Sequence, residues 1–195
     1  MRIVGGRWRG HPLRAPKGRG TRPTSDRVRE ALFDVLGARL GGDLTGLRVL
    51  DLYAGTGALG LEALSRGAEA AVFIENARAA LQSLESNVSG LHAEGLCTVM
   101  PGSVRGPALA RAARQGPFAL LLADPPYRID QAQVISAVAV LEESAALDQG
   151  AMIVWEHASA VVPQAPGGFG VVRTYSYGET AFTLLARNRG SLEEP

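Results

Sequence analysis

The chain has one cysteine, Cys97, one lysine, Lys17, and no apolar run near the roughly 20 residues that a membrane helix needs. A single cysteine excludes an intrachain disulfide and a cysteine metal cluster. Cys97 reads as a small buried residue next to Leu96 and Val99. His11, His92 and His157 are too scattered to form a metal-spacing motif. The opening residues Met1–Arg7 lack the apolar core of a signal peptide, so the cytoplasm is the expected setting. With 195 residues, 46% of them hydrophobic and 20% charged, the composition fits one soluble globular domain with a substantial core.

Acidic residues are absent from positions 1–25. That stretch holds Arg2, Arg7, Arg9, Arg14, Lys17, Arg19 and Arg22. The net charge of +1 therefore conceals a basic arm and an acidic body, with thirteen basic against nineteen acidic side chains in the remainder. A basic arm on an acidic body is expected to hold a polyanion, and arginine clusters suit phosphates. The competing reading is a solvated tail. Gly5-Gly6, between Arg2–Val4 and Arg7–Arg9, is a two-residue hairpin signal. Trp8 sits between two arginines and serves either as an aromatic face among phosphate contacts or as an anchor on the body. Residues Pro12 to Pro23 read as a loop.

Ser25 or Asp26 caps a helix marked by Val28, Ala31, Leu32, Val35 and Leu36, which Gly41-Gly42 stops. Strands and helices then alternate. Strands are expected at 47–53, 70–75, 96–101, 118–123 and 151–156. Helices are expected at 58–66, 78–88, 104–115 (despite Pro107) and 132–146. This pattern predicts a parallel sheet with helices on both faces. Strands at 170–175 and 180–187 follow without a helix between them, so they form a hairpin with one strand antiparallel. Domain organisation is read as an arm at 1–25, a folded domain at 26–189 and a frayed tail at 190–195.

Asp51-Leu-Tyr-Ala-Gly-Thr-Gly-Ala-Leu-Gly60 is a strand end, a glycine turn and a helix start. Gly55 to Gly60 matches the dinucleotide fingerprint literally, with Glu75 twenty residues after Gly55. The flanking charge argues otherwise. Asp51 at the strand end would repel a pyrophosphate but suits the ammonium and sulfonium of S-adenosylmethionine (SAM). Glu75 closes the next strand, where it can accept both ribose hydroxyls. Asp51, Tyr53, Ala54, Gly55, Thr56, Gly57, Glu75 and Asn76 form the candidate cofactor set. A glycine turn with no ligand is the plain structural alternative.

Asp124-Pro125-Pro126-Tyr127 follows the apolar run 118–123, at the carboxyl edge of the sheet where ligands bind in such folds. A nucleobase exocyclic amine is a poor nucleophile because its lone pair is delocalised. Two acceptors aimed at its hydrogens favour the tetrahedral geometry that methyl transfer needs. The Asp124 carboxylate and the Pro125 carbonyl are the natural pair, and Pro125 and Pro126 fix the backbone that carries them. Tyr127 offers a face on which an extruded base can stack.

With those residues placed, the chain resembles the RsmD family of bacterial small-subunit ribosomal RNA methyltransferases. The likeness covers nearly the whole length. It rests on Arg2-Ile-Val-Gly-Gly-Arg-Trp-Arg-Gly10, Arg22-Pro-Thr-Ser-Asp-Arg-Val-Arg-Glu30, Asp51–Gly60 with Leu61-Glu-Ala-Leu-Ser-Arg-Gly67, Asp124–Tyr127, and Tyr177-Gly-Glu-Thr180. It implies a Rossmann-like α/β fold of the class I SAM-dependent methyltransferases, with a seven-stranded, mostly parallel sheet ending in an antiparallel hairpin. It implies methylation of guanine 966 of 16S rRNA on N2, on the assembled or assembling 30S particle. Apart from the resemblance, a monomer is the expected form. The likeness also implies that Arg22, Pro23 and Thr24 lie over the SAM pocket. Arg2, Arg7, Trp8, Arg9, Arg14, Lys17 and Arg19 are then the RNA contacts. Two positions depart from the family pattern. Ala77 stands where an acid is common, and Ser103 stands where an acid often holds the adenine amine. A DNA adenine-N6 or cytosine-N4 methyltransferase shares the catalytic turn and is the first alternative. A non-catalytic RNA-binding assembly factor is the second.

Overall fold

The structure is a computed structural model that describes residues 1–16, 26–126 and 130–188. Helix α1 (Asp26–Arg39) leads into alternating elements: β1 (Arg48–Asp51), α2 (Ala58–Ser65), β2 (Ala70–Glu75), α3 (Arg78–Gly90), β3 (Cys97–Pro101), α4 (Pro107–Ala113), β4 (Phe118–Ala123), α5 (Gln131–Glu143) and β5 (Leu147–Ala158). The hairpin β6 (Phe169–Tyr177) and β7 (Thr180–Arg187) follows. The sheet order is β3-β2-β1-β4-β5-β7-β6. β1 to β5 pair in parallel, and β7 runs antiparallel to both β5 and β6.

Side chains alternate across the sheet, as the two-residue period of a strand requires. Val49, Leu120, Leu122, Val154 and Phe182 face α1, α2 and α3 through Leu36, Leu61, Leu64 and Leu84. Leu50, Leu121, Ile153 and Trp155 face α4 and α5 through Leu109, Ala112, Val134 and Leu141. The central strands are buried on both sides, which is why they read as continuous apolar runs.

Three local expectations change. Gly5-Gly6 does not make a two-residue hairpin turn. Residues Gly6–Trp8 form a 3-10 turn, and the chain closes further out, with Arg2 bridging Pro12 and the Ile3 N–H donating to the His11 carbonyl at 3.0 Å. The reason lies on α2. A Cβ on Gly6 would sit 1.9 Å from the Ser65 carbonyl, so this glycine is spent on docking rather than on a hairpin. Pro107 opens α4 instead of lying inside it, because a missing N–H is harmless in the first turn. β5 starts at Leu147, with a register shift opposite Phe118 and Leu120, so it is longer than its apolar centre.

The arm is no solvated tail over residues 1–16. Ile3 and Leu13 join the core beside α1. Glu62 of α2 is fully buried and accepts from the Val4 and Gly5 N–H groups at 2.8 Å each, and from Arg66 Nε at 2.8 Å. Arg29, also fully buried, lies 3.8 Å from Glu62 and donates to the Arg2 carbonyl. A buried charge needs such partners, and here they are the backbone and the arginines that fix the arm.

Candidate active site

The sheet changes winding direction between β1 and β4, and the carboxyl ends of those strands lie side by side. Asp51 pairs with Leu122, and the Leu52 N–H donates to the Leu122 carbonyl at 2.9 Å. Asp124 is two residues beyond that pair. The glycine turn and the acidic-proline turn therefore share the topological switch point, where ligands bind in open α/β sheets.

Asp51 is 1% exposed. Its Oδ2 accepts from the Gly60 N–H at 3.1 Å, and its Oδ1 has no hydrogen-bond partner among the described residues. Burial pushes its carboxyl up to about 7; the Gly60 N–H opposes this, Glu75 adds to it, and the Tyr53 N–H opposes it further. A buried acceptor held short of a partner, at the edge where a ligand enters, fits a cationic group such as the ammonium of SAM. The turn above it depends on glycine. Gly55 has φ +54° with open space where a side chain would stand, and Gly57 has φ +80° with its Cβ position 2.3 Å from Leu84. Gly60 brings α2 against Phe73 in the same way, so it serves helix–sheet packing.

Glu75 organises the second side. It accepts from the Gly55 N–H at 2.7 Å through one oxygen, and from the Asn76 and Ala77 N–H groups at 2.8 and 2.7 Å through the other. One acceptor position on the first oxygen is left, since a carboxylate offers about four. Glu75 is thus a scaffold of the turn as well as the candidate ribose acceptor. Ala54 donates to the Ile74 carbonyl at 3.0 Å, and Thr56 is buried. Asn76 and Ser103 are exposed, and Ser103 Oγ accepts from the Arg105 N–H at 3.1 Å. Tyr53 is half-buried. Its hydroxyl has no partner among the described residues and is pushed up to about 12 by burial, which Arg105 partly offsets.

Asp124 and Pro125 are half-buried and Pro126 is exposed. The Asp124 carboxyl is held well above its ordinary value, first by burial, then by Glu156 and Asp51. Sequence reasoning missed Glu156. It is 5% exposed and lies one register step past Trp155, which pairs with Ala123, so β4 and β5 bring it beside Asp124. Its signal was available: like Asp51 and Glu75, it is an acid that follows an apolar run, here 151–155, although β5 itself continues to Ala158.

Tyr127, Arg22, Pro23, Thr24, Lys17 and Arg19 lie outside the described residues. The other arm residues divide. Arg2 is paired with Asp26 at 3.0 Å. Arg7 stacks 4.3 Å over Trp8 and donates to the Leu64 carbonyl, while Trp8 packs on the core, so the aromatic anchors. Arg9 and Arg14 are exposed. Two concavities, one at Arg2 and Asp26, the other at Phe33 and Arg66, lie away from the switch point. Among the described residues no group of three histidine, cysteine or acidic side chains is placed to hold a metal, and no helix is long and apolar enough to cross a membrane.

The family described as conserved hypothetical protein 95 matches residues 1–186. Ribosomal RNA small subunit methyltransferase D of Escherichia coli K12 is 36% identical over 96% of this chain and 90% of its own length. YlbH of Bacillus subtilis is 33% identical over 96% of this chain and 99% of its own. The solved structure of the Escherichia coli protein yhhF superposes with a TM-score of 0.77 at 36% identity, covering 96% of this chain and 97% of that one. The chain belongs to the RsmD family and is a SAM-dependent methyltransferase.

Proposed function

We propose that this enzyme methylates the exocyclic N2 of guanine 966 in 16S rRNA, acting as a cytoplasmic monomer on the assembled or assembling small subunit. The observation that carries the reading is the placement of Asp124 and Pro125 at the end of β4, beside the glycine cradle. An arm with exposed Arg9 and Arg14 docked on the same body supports a nucleic-acid substrate. The relative named ribosomal RNA small subunit methyltransferase D supports the RNA and the subunit.

Asp51 would hold the ammonium of SAM, and Glu75 the ribose, with Gly55 to Gly57 giving close approach. The bound cofactor supplies an electrophilic methyl group on a cationic sulfur. Asp124 and the Pro125 carbonyl receive the two hydrogens of the guanine amine and hold its nitrogen lone pair toward the methyl. A positive ligand beside Asp51 opposes the two acidic neighbours that raise Asp124, and so favours the carboxylate that must accept. Once the nitrogen has been methylated, its surplus proton passes to Asp124, whose high proton affinity suits that role. Tyr127, at the far end of the turn, would stack on the base.

The experiment is a methylation reaction with labelled SAM, offering unmodified 30S particles, naked 16S rRNA and duplex DNA side by side. Label confined to the RNA supports this reading. Label confined to DNA would replace it with adenine-N6 or cytosine-N4 methylation.

A further inference from the structure

Three helices of the body fix the arm. Arg29 and Asp26 of α1 hold Arg2. Glu62 and Ser65 of α2 hold Val4, Gly5 and Trp8. The third hold is one side chain on α3. Asn87 is 3% exposed. Its Oδ1 accepts from the Arg14 N–H at 2.7 Å, and its Nδ2 donates to the Arg14 carbonyl at 3.0 Å and to the Thr56 carbonyl at 2.9 Å. Two carbonyls demand the donor end and one N–H demands the acceptor end, so the amide has a single orientation. No other side chain of this size offers two donors and an acceptor on one plane.

The two peptides it joins belong to different tasks. Thr56 is the centre of the cradle, between two glycines of positive φ. Arg14 is exposed at the root of the basic segment that continues through Lys17 to Arg22. We propose that Asn87 is a positioning residue that couples the cofactor cradle to the RNA-binding arm. A ligand that orders the Thr56 peptide orders Arg14 through the shared amide, and an arm ordered by phosphates steadies the cradle. The effect is reciprocal, as linkage requires. Its source is entropic: the ligand that arrives second meets a partner already ordered. The inference rests on the reading of the arm as an RNA contact.

The test measures affinity for unmodified 30S particles with and without saturating S-adenosylhomocysteine, in the wild type and in Asn87→Asp, which keeps the acceptor and loses both donors. In the wild type the ligand should tighten 30S binding about tenfold, within the ordinary range of such couplings. In the variant the factor should fall below about twofold, while a purely structural role would weaken both affinities and leave their ratio intact. An unchanged ratio in the folded variant, or no coupling in the wild type, overturns the proposal. Should the variant not fold, amide hydrogen exchange of the wild type decides. S-adenosylhomocysteine should slow exchange at Arg14 together with Gly55 and Gly57; protection confined to the cradle overturns the link. Wild-type enzyme that binds S-adenosylhomocysteine but not 30S particles would refute the RNA reading instead, and the exchange result would still judge Asn87.

Discussion

Asp51→Asn should stabilise the cofactor-free protein while weakening its cofactor affinity. Burial pushes the Asp51 carboxyl from 3.8 up to about 7. In the unfolded chain it ionises at its ordinary value, so the folded state binds the proton more tightly. Its contribution to stability is therefore full below pH 4 and is lost as pH rises to about 7. The gap of about three pH units, at about 1.36 kcal/mol each, amounts to about 4 kcal/mol by pH 8. An asparagine amide facing the unpartnered Oδ1 position loses about 2 kcal/mol of this to an unsatisfied N–H. The net gain is about 2 kcal/mol, or a rise of about 4–8 °C in Tm for a chain of this size. Thermal melts of both proteins from pH 4 to pH 8, without ligand, read this directly. The difference should grow with pH and level off above about 7. A variant less stable than wild type at pH 8, or a gap independent of pH, would refute the assignment of Asp51 as a strained carboxylate awaiting a cation. In the wild type, S-adenosylhomocysteine affinity should fall as pH drops below about 7, and the variant should lose that dependence.

Asp124→Ala should lower kcat by roughly two to three orders of magnitude, the scale of a lost preorganised hydrogen-bond partner, with cofactor affinity retained in calorimetry. Glu156→Gln removes a negative neighbour that raises Asp124, so the acid limb of the kcat profile should move to lower pH; an unmoved limb separates the two groups. Glu62→Ala takes the acceptor from the Val4 and Gly5 N–H groups and leaves buried Arg29 with Asp26, 2.8 Å away, in place of two acids, and should cost about 3–5 kcal/mol in urea unfolding. The same change should expose residues 1–16 to proteolysis. Arg9→Ala with Arg14→Ala should flatten the salt dependence of RNA binding by about 1.5 to 2 in log–log slope, two phosphate contacts' worth; an unaltered slope removes them from the interface.

The alternation of elements was legible because the strands of a doubly covered sheet are apolar throughout and their helices carry a 3.6-residue period. The ends of β2, β4 and β7 match the apolar runs residue for residue. Asp51, Glu75 and Asp124 were legible as acids closing such runs. What escaped the sequence was long-range pairing. Glu62 lies on a helix surface by period alone, and only folding shows that the arm closes over it. Asn87 reads as an ordinary helix residue until Arg14 and Thr56 arrive from elsewhere in the chain. Gly6 was misread because its positive φ serves a contact with α2, which no local pattern encodes.

The most direct test of the account is to incubate the enzyme with methyl-labelled SAM and 30S particles from cells lacking the modification, digest the RNA, and identify the labelled nucleoside and its position. Label in N2-methylguanosine at position 966 of 16S rRNA is the result predicted. Label in another nucleoside or at another site, or no label from an enzyme that binds S-adenosylhomocysteine, would contradict it.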